Sequence, residues 1–572
     1  MKKQKSMFRF IVFLVITCMI SGLFAGCVGK QEGDGSQVDK KDTEKVSETD
    51  TTEVSAEREL VNNVYTTGLP IVKDPVTVRI AIVRQPGDQS SSTAVKPFAV
   101  KSEKDTNIKF DWIDLATDVN TQISVMLAGG DMPDAFIGGI NQNLITLNYE
   151  LFTELEELLP KYGPNTIKFY EENDIPWKEL LTFPNGHIYS LMGGFYTNYQ
   201  NLVAGGIGYI NEVWIKNAEL EHPKTTDELY NVLKAFKEKD VDLDGDPNNE
   251  IPFEFCEKDW AGHIRTLQSS WGITGNFNID NGKIVPTMNT QAYRDYLEYC
   301  HKLYKEGLIN QEGFSQTSDQ FIANIKAMKA GLFFAWASQT YLELELAAQY
   351  APLGVIKAPG YEDKFLYPLG SRMTANLTAF VISASSKYKE VLLRWWDYLQ
   401  GSEELRMLTA RGIEGYIWEY GEDGKTYLAN PTPEEKTRLI KEAGLAPEYN
   451  NTMTNASFYI DNFHPLIINN LSYHPPKEGE YPSQGYARQC AIDLLVDYLP
   501  KEEMPKTPVP ADKLEEYNFK CQGLEDYINS FRAKSIMEGV TDESWNEYLK
   551  NLKEYNYDFY IEFNQKRFDG SF

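Results

Sequence analysis

Cysteine, histidine and positive charge are all scarce in this chain of 572 residues. Its six cysteines are too few for the disulfide framework of a small secreted domain. Its six histidines form no H-x-x-x-H pair and no H-E-x-x-H motif, so a zinc hydrolase would lack its ligands. Only 56 Lys and Arg stand against 83 Asp and Glu, a net charge of -27. Such a chain repels phosphate backbones, which excludes nucleic acid as the expected partner.

Sequence motifs for nucleotide binding and acyl transfer are also missing. No G-x-G-x-x-G follows the first predicted strand, and no P-loop or G-x-S-x-G motif occurs. We therefore expect no organic cofactor. A glycosidase needs two carboxylates at a set separation, and nothing in the sequence singles out such a pair.

Apolar and aromatic residues, by contrast, are plentiful. Hydrophobic residues make up 42% of the chain and aromatic residues 13%, enough for a large core. At roughly 150 residues per domain the length allows about four units, and two large interleaved lobes fit equally well.

The one long hydrophobic run is at the N-terminus, at residues 10–20, after a basic start. Eleven helical residues reach only about 16 Å, whereas a bilayer core measures about 30 Å, so the run is typical of a cleavable signal. Residues 23–27 (LFAGC) resemble a bacterial lipobox, with Phe24 where Leu is usual. The resemblance implies cleavage before Cys27 and acylation of its thiol. An ordinary secretory signal with an incidental cysteine is the alternative.

The segment after Cys27 is predicted to be a disordered acidic tether, assigned to residues 27–62. Residues 28–59 contain no aromatic residue and too few aliphatic ones to form a core. Loss of residues 1–26 would remove four positive charges and no negative ones, changing the net charge from -27 to -31.

The chain then opens as an α/β protein. Residues 76–83 and 107–114 are predicted strands, and residues 117–128 have helical spacing of apolar side chains. Residues 131–137 are predicted to form a short buried strand after a Pro turn. This order is typical of a doubly wound sheet, which binds ligands at the carboxyl ends of its strands.

An acidic loop follows a helix that begins at the capping box Thr225–Glu228. Alternating Asp residues and a Gly at the sixth position match the pattern of an EF-hand loop and predict a structural calcium site. Glu250 falls at position 11 rather than 12, and a solvated acidic loop is the alternative. The predicted ligands are Asp240, Asp242, Asp244, Asp246 and Glu250.

Several segments, in order and spacing, resemble the family 1 extracellular solute-binding proteins, in particular the sugar-binding lipoproteins of Gram-positive bacteria. The matching segments cover much of residues 70–565: GGDMPD at 129–134, PNGHIY at 184–189, YINEVW at 209–214, residues 223–237 with the acidic loop, AFVIS at 379–383, residues 389–398, and GIEGYIW at 412–418.

The resemblance implies an α/β, two-lobed periplasmic-binding-protein-like (class II) fold with a hinge and an interlobe ligand cleft. The expected divisions are a signal peptide (1–26), the tether (27–62), lobe 1 (63–205 and 376–470), lobe 2 (206–375, with the calcium-type loop at 240–250) and a C-terminal helical part, mainly in lobe 2 (471–572). Residues 201–208 and 374–378 are the predicted hinge segments, because small residues there can absorb backbone rotation.

Sugar recognition needs flat apolar faces and planar hydrogen-bonding groups in loops near the cleft. For most aromatic residues core packing is the better interpretation, and it is the one assigned to Trp395 and Trp396. The predicted ligand-binding residues are Trp271, Trp336, Tyr196, Asn198 and Arg372.

The expected function is a non-enzymatic substrate-binding protein of a carbohydrate ABC importer. It would be a monomer held at the outer face of the cell membrane by a lipid, delivering an oligosaccharide to permease subunits. A lipid-anchored carbohydrate-active enzyme and a ligand-presenting sensor subunit are the alternatives.

Overall fold

The computed structural model describes residues 58–85, 88–246, 248–429, 431–445, 460, 463–468 and 472–572. The chain divides into two units, Met1–Ala56 and Glu57–Phe572, and the described residues all belong to the second. The predicted signal segment, Cys27 and most of the predicted tether lie outside the described residues. None of the helices in the described ranges is both long enough and apolar enough to cross a bilayer.

The strands of the described residues are β1 (Leu60–Val61), β2 (Val64–Tyr65), β3 (Val76–Val83), β4 (Ile108–Leu115), β5 (Ala135–Ile137), β6 (Ser190–Gly193), β7 (Ile207–Asn211), β8 (Ile251–Glu254), β9 (Phe277–Asp280), β10 (Lys283–Pro286), β11 (Ala330–Ala335), β12 (Tyr350–Pro352), β13 (Asn376–Ile382), β14 (Trp418–Tyr420) and β15 (Thr426–Leu428).

The α-helices are α1 (Pro97–Thr106), α2 (Val119–Gly129), α3 (Gln142–Leu147), α4 (Leu159–Tyr162), α5 (Pro164–Glu172), α6 (Trp177–Leu181), α7 (Glu212–Asn217), α8 (Thr226–Glu238), α9 (Gln291–Lys305), α10 (Ser318–Lys326), α11 (Leu344–Ala347), α12 (Lys389–Gln400), α13 (Glu403–Arg411), α14 (Pro433–Glu442), α15 (Gln484–Asp493), α16 (Ala511–Lys520), α17 (Leu524–Glu538), α18 (Asp542–Glu554) and α19 (Tyr557–Phe568).

A five-stranded sheet in the order β4-β3-β5-β13-β6 forms the centre of the first lobe. β3 is parallel to β4 and β5, whereas β13 is antiparallel to β5 and β6. The strand predicted at 76–83 is β3, and the strand predicted at 107–114 is β4, displaced by one residue. The helix predicted at 117–128 is α2, and only the last three residues of the segment 131–137 form the strand β5.

The core of the first lobe is built from β-branched strand residues and large aromatic rings. Trp395 and Trp396 on α12 are fully buried, and Trp396 stacks on Phe380 of β13 with ring centroids 4.6 Å apart. Trp395 also donates its indole N–H to Ser102 Oγ on α1 at 3.0 Å. The packing role predicted for both tryptophans is confirmed.

The second lobe contains a four-stranded sheet in the order β12-β7-β11-β8. The predicted capping box is present at the start of α8: the Thr225 side chain accepts from the Glu228 N–H and the Glu228 carboxylate from the Thr225 N–H. Helices α9 and α18 add buried aromatic residues to this core, and α17 adds buried leucine and isoleucine side chains. Cys300 is buried in this core, and Cys256 is buried in a neighbouring cluster of the same lobe.

Two crossovers join the lobes: residues 194–206 between β6 and β7 (the first crossover) and residues 368–375 leading into β13 (the second crossover). They pair as antiparallel chains: the Ala204 N–H donates to the Pro368 carbonyl at 3.0 Å, and the Gly370 N–H to the Leu202 carbonyl at 2.9 Å. The chain passes between the lobes a third time between His474, whose ring stacks on Tyr427 of β15, and α15, which packs against the second lobe. Elsewhere, α16 approaches α3 of the first lobe.

One expectation needs correction. The sequence predicts a tether up to residue 62, but β1 pairs with β2, and Arg58 lies over the Tyr65 ring at 3.9 Å, so folded structure begins earlier. The predicted hinge segment 374–378 spans the end of the second crossover and the start of β13, and it stays a prediction. The contact between the crossovers lies upstream, at residues 368–371.

Candidate functional site

The strand ends of both lobes face the crossovers. In the first lobe the carboxyl ends of β3, β4, β5 and β6 share an edge with the amino end of β13, where the second crossover enters. In the second lobe Ala335 at the end of β11 pairs with Ile207 at the start of β7, and β8 is parallel to β11. The carboxyl ends of β8 and β11 therefore lie beside the first crossover. Loops from both edges can contact one ligand held between them.

Two tryptophans follow the carboxyl ends of β8 and β11. Trp260 is 57% exposed, and its ring centroid lies 6.0 Å from that of the half-buried Trp336, with the planes inclined at 40°. An exposed aromatic pair of this kind offers flat apolar surface for the C–H face of a sugar ring. Trp336 was predicted from the sequence, whereas Trp260 was not.

The loop that carries Trp260 is held by the carboxylate of Asp259, which is only 3% exposed. Asp259 Oδ1 accepts hydrogen bonds from the N–H groups of Ala261 and Gly262, both at 2.9 Å, and from the Tyr341 hydroxyl at 3.0 Å. A buried carboxylate with three donors fixes the turn that exposes the next residue, Trp260.

Trp271 does not lie in the loop predicted for it. It ends a 3-10 helix, Ile264–Trp271, and is 5% exposed in the core of the second lobe. Its ring contacts Tyr296 and Tyr299 at centroid distances of 5.7 and 5.3 Å. The sequence interpretation was wrong because the small polar residues around Trp271 suggested a loop but belong to a buried turn. We do not retain Trp271 as a stacking residue.

The other three predicted ligand residues lie at the crossovers. The Tyr196 N–H donates to the Ile467 carbonyl at 2.7 Å, and the Asn198 side chain accepts from the Gln200 N–H at 2.9 Å. Arg372 is exposed and donates from Nη2 to the Pro500 carbonyl at 2.6 Å. These contacts support the crossovers, and ligand contact by the three residues stays a prediction.

A buried ionic cluster stands at the facing edge of the first lobe. Asp88, Arg84 and Lys96 lie just after β3, and Asp88 Oδ2 is 3.0 Å from Arg84 Nε and 2.7 Å from Lys96 Nζ. Burial alone would raise the pKa of Asp88, but the two cations outweigh burial and hold that pKa far below its usual range. Burial lowers the pKa of Lys96. The cluster ties Arg84, directly after β3, to Lys96 at the start of α1, beside the facing strand ends.

The acidic loop folds into a compact group of oxygen atoms. One carboxylate oxygen each of Asp240, Asp242 and Asp244 lies within 4.8 Å of the others. Leu243 and Gly245 take positive φ angles of 63° and 96°, which turn the loop inward. The Gly245 N–H donates to Asp240 Oδ2 at 3.1 Å. These acidic groups could hold a metal ion.

The donor set fits a hard cation. Three buried oxygens, Asp240 Oδ1, Asn249 Oδ1 and Glu250 Oε2, have no hydrogen-bond partner within the described part of the chain. Burial raises the pKa of Glu250, and the charges of Asp242 and Asp240 add to the rise. A bound cation would satisfy those oxygens and offset the repulsion. Asn249 was not among the predicted ligands because its amide oxygen is neutral, whereas the loop was recognised by its carboxylates.

The fifth predicted ligand, Asp246, is turned differently. Its exposed carboxylate Oδ1 accepts from the backbone N–H of Asn248 at 3.2 Å and from Asn248 Nδ2 at 3.3 Å. Its side chain is not among the three gathered carboxylates. In an EF-hand loop the seventh position uses its backbone carbonyl, so this side-chain orientation is compatible with the predicted loop.

A second group of possible metal ligands was not foreseen. His187, Glu154 and Glu156 bring one ligand atom each within 4.8 Å of the others in the first lobe. His187 Nδ1 contacts Glu156 Oε1, and Glu156 raises the pKa of the histidine. An exposed ion pair accounts for this arrangement. This cluster was not predictable from a local pattern, because Glu156 and His187 are separated by 31 residues.

The chain has a two-lobed α/β fold, the fold of the solute-binding proteins whose solved structures it matches. No protein-family model matches the chain. The chain is 24% identical over 485 residues to the fructooligosaccharide ABC transporter substrate-binding protein FusA of Streptococcus pneumoniae, covering 82% of this chain and 85% of FusA. It is 26% identical to the lipoprotein LipO of Bacillus subtilis, covering 68% of this chain and 76% of LipO.

A solved structure of S. pneumoniae FusA in complex with kestose matches with a TM-score of 0.71 at 22% identity, covering 86% of this chain and 99% of that one. A further FusA structure, with fructo-nystose, is of an EF-hand mutant. The resemblance to solute-binding proteins of carbohydrate ABC transporters, predicted from the sequence motifs, is confirmed by these comparisons.

Proposed function

We propose that the protein is the substrate-binding component of a carbohydrate ABC importer and captures an oligosaccharide between its lobes. The observation that carries this proposal is the Trp260–Trp336 pair on the strand-end edge beside the crossovers. Stacking on an open aromatic pair retains a sugar without changing it. The names of two relatives agree with this function: FusA is a transporter substrate-binding protein, and LipO is a lipoprotein.

Capture would proceed by closure about the paired crossovers. Sugar stacked on Trp260 and Trp336 would meet the loops at the first-lobe edge when the lobes rotate together, and the closed form would be the one that permease subunits recognise. We propose Tyr196, Asn198 and Arg372 as further ligand contacts, because all three lie at the crossovers beside the facing strand ends.

We also propose acylation at Cys27, which would hold the protein at the outer face of the membrane as a monomer. The sequence of residues 23–27 supports this anchor, as does the lipoprotein name of LipO.

The acidic loop is proposed to bind calcium in a structural role. The three gathered carboxylates and the unpartnered oxygens of Asn249 and Glu250 support a hard, oxygen-preferring cation. The EF-hand of FusA supports the same assignment.

Titration calorimetry with a panel of oligosaccharides tests the main proposal. The panel contains kestose and fructo-nystose, oligogalacturonides and malto-oligosaccharides. We expect at least one sugar to bind, and the variants W260A and W336A each to weaken binding about tenfold or more, since each removes a stacking face. F519A, which removes an 82% exposed ring on α16, is the control and should bind normally.

Failure of the whole panel, or normal binding by both tryptophan variants, would contradict the proposal. Mass spectrometry of the sugars after incubation decides the enzymatic alternative, because a binding protein returns them unchanged.

A further inference from the structure

Arg488 on α15 is a fully buried cation whose charge is balanced without a carboxylate. Within the described residues its guanidinium forms no ion pair and instead donates to three backbone carbonyls. Nε donates to Gln200 at 3.0 Å, Nη1 to Trp336 at 2.8 Å and Nη2 to Val203 at 2.9 Å. Burial lowers its pKa to about 10, so it stays charged at neutral pH.

The three carbonyls connect parts of the molecule that are far apart in sequence. Gln200 and Val203 belong to the first crossover, and Trp336 follows β11 in the second lobe. Arg488 itself comes from the helix that the chain reaches after its third passage between the lobes. One side chain therefore holds the crossover and the Trp336 segment at a fixed distance from each other.

The same guanidinium covers one face of the Trp336 ring, with Cζ 3.5 Å from the ring centroid. That face is closed to any ligand. The surface that stays open is next to Trp260, whose ring centroid is 6.0 Å away. Planar stacking together with three N–H groups fixed in one plane is specific to arginine, because a lysine ammonium has no planar face and its three N–H groups rotate about a single nitrogen.

We infer that Arg488 is a positioning residue for the proposed sugar site: it fixes the open face of Trp336 relative to the first crossover. This inference rests on the proposed function. A sugar that stacks on Trp336 then meets a ring already held in place, so little side-chain entropy is lost on binding.

A double-mutant cycle tests the inference in the full chain. The probe is the panel sugar that wild-type protein binds most tightly. We expect R488K to weaken its binding about tenfold, and to cause no further loss in a W336A background. R394K is the matched control: Arg394 is 5% exposed in the first lobe and pairs with Asp397, so its change should lower stability but leave sugar affinity unchanged.

A second readout does not depend on any sugar. The near-ultraviolet circular dichroism difference between wild type and W336F reports the fixed Trp336 ring. We expect that difference to lose most of its intensity in an R488K background and to persist in an R394K background. An unchanged difference spectrum in R488K, or equal loss of affinity with and without Trp336, would overturn the inference. If no panel sugar binds, the proposed function fails and the spectra alone decide the role of Arg488.

Discussion

At the residue scale, Asp259 is the side chain on which the exposure of Trp260 depends. We expect D259A to weaken sugar binding about tenfold and to lower the free energy of unfolding by about 1–3 kcal/mol, since the N–H groups of Ala261 and Gly262 lose a buried charged acceptor. Calorimetry and urea unfolding measure the two effects. D259N keeps an oxygen acceptor and should lie between wild type and D259A.

The control for this change is Asp397, which is equally buried but lies in the first lobe, where it accepts from the Thr166 N–H at 2.8 Å. D397A should destabilise the protein without changing sugar affinity. Equal loss of affinity in both variants would mean that Asp259 acts only through stability.

Single residues were the hardest feature to predict from the sequence. Trp271 and Trp260 both have polar neighbours, yet one is buried and the other is exposed. The difference depends on the turn held by Asp259, and the Tyr341 hydroxyl that completes this turn is 82 residues away in the chain. Local composition carries no information about such a contact.

At the scale of elements, the pairing of the two crossovers sets the relation between the lobes. A Cβ at Gly370 would lie 2.1 Å from the Asn201 carbonyl oxygen, well inside contact distance. We therefore expect G370A to separate the crossovers, lowering the free energy of unfolding by about 1–3 kcal/mol and weakening sugar binding. Urea unfolding and calorimetry measure both effects.

The matched control is G129A. Gly129 is the last residue of α2, and a Cβ there would have no atom within 4 Å, so this change should be neutral or slightly stabilising. A G370A protein as stable as G129A would show that the crossovers tolerate separation.

Elements whose signal is local were predictable. The β-branched segment of β3 and the capping box of α8 carry their information within a few residues, and both have the expected bounds or contacts. The pairing of the two crossovers was not predictable, because Val203 and Leu369 form a bridge although they are far apart in the chain. The acidic loop was predictable because its pattern is local. The hydrogen bonds of Arg488 were not, because they join segments that are distant in the chain.

At the scale of the whole molecule, calcium is expected to act on stability rather than on the sugar site directly. A ligand at 100 times its Kd stabilises a folded protein by about 2.7 kcal/mol. We expect a chelator to lower the Tm of the wild type by a few degrees and to have no effect on the double variant D240A/D244A, as measured by calorimetric scanning.

The control for the calcium experiment is a variant of the second group of possible metal ligands, which contains Glu154, Glu156 and His187. E156Q alters the cluster that contains His187 and should leave the chelator effect intact. If the chelator effect survives in D240A/D244A and disappears in E156Q, the cation binds at the cluster that contains His187, and the proposed calcium site in the acidic loop is contradicted.

The position of β13 has a consequence for the order in which the molecule is made. In space β13 lies between β5 and β6, but in the chain it follows every strand of the second sheet. A chain delivered from its amino end therefore presents β5 and β6 with an unfilled place between them until the sheet of the second lobe has been produced. During that time both strands have free edges, which in other proteins pair with foreign chains. Completion of the first sheet thus waits for the strands of the second, although the first sheet begins earlier in the sequence.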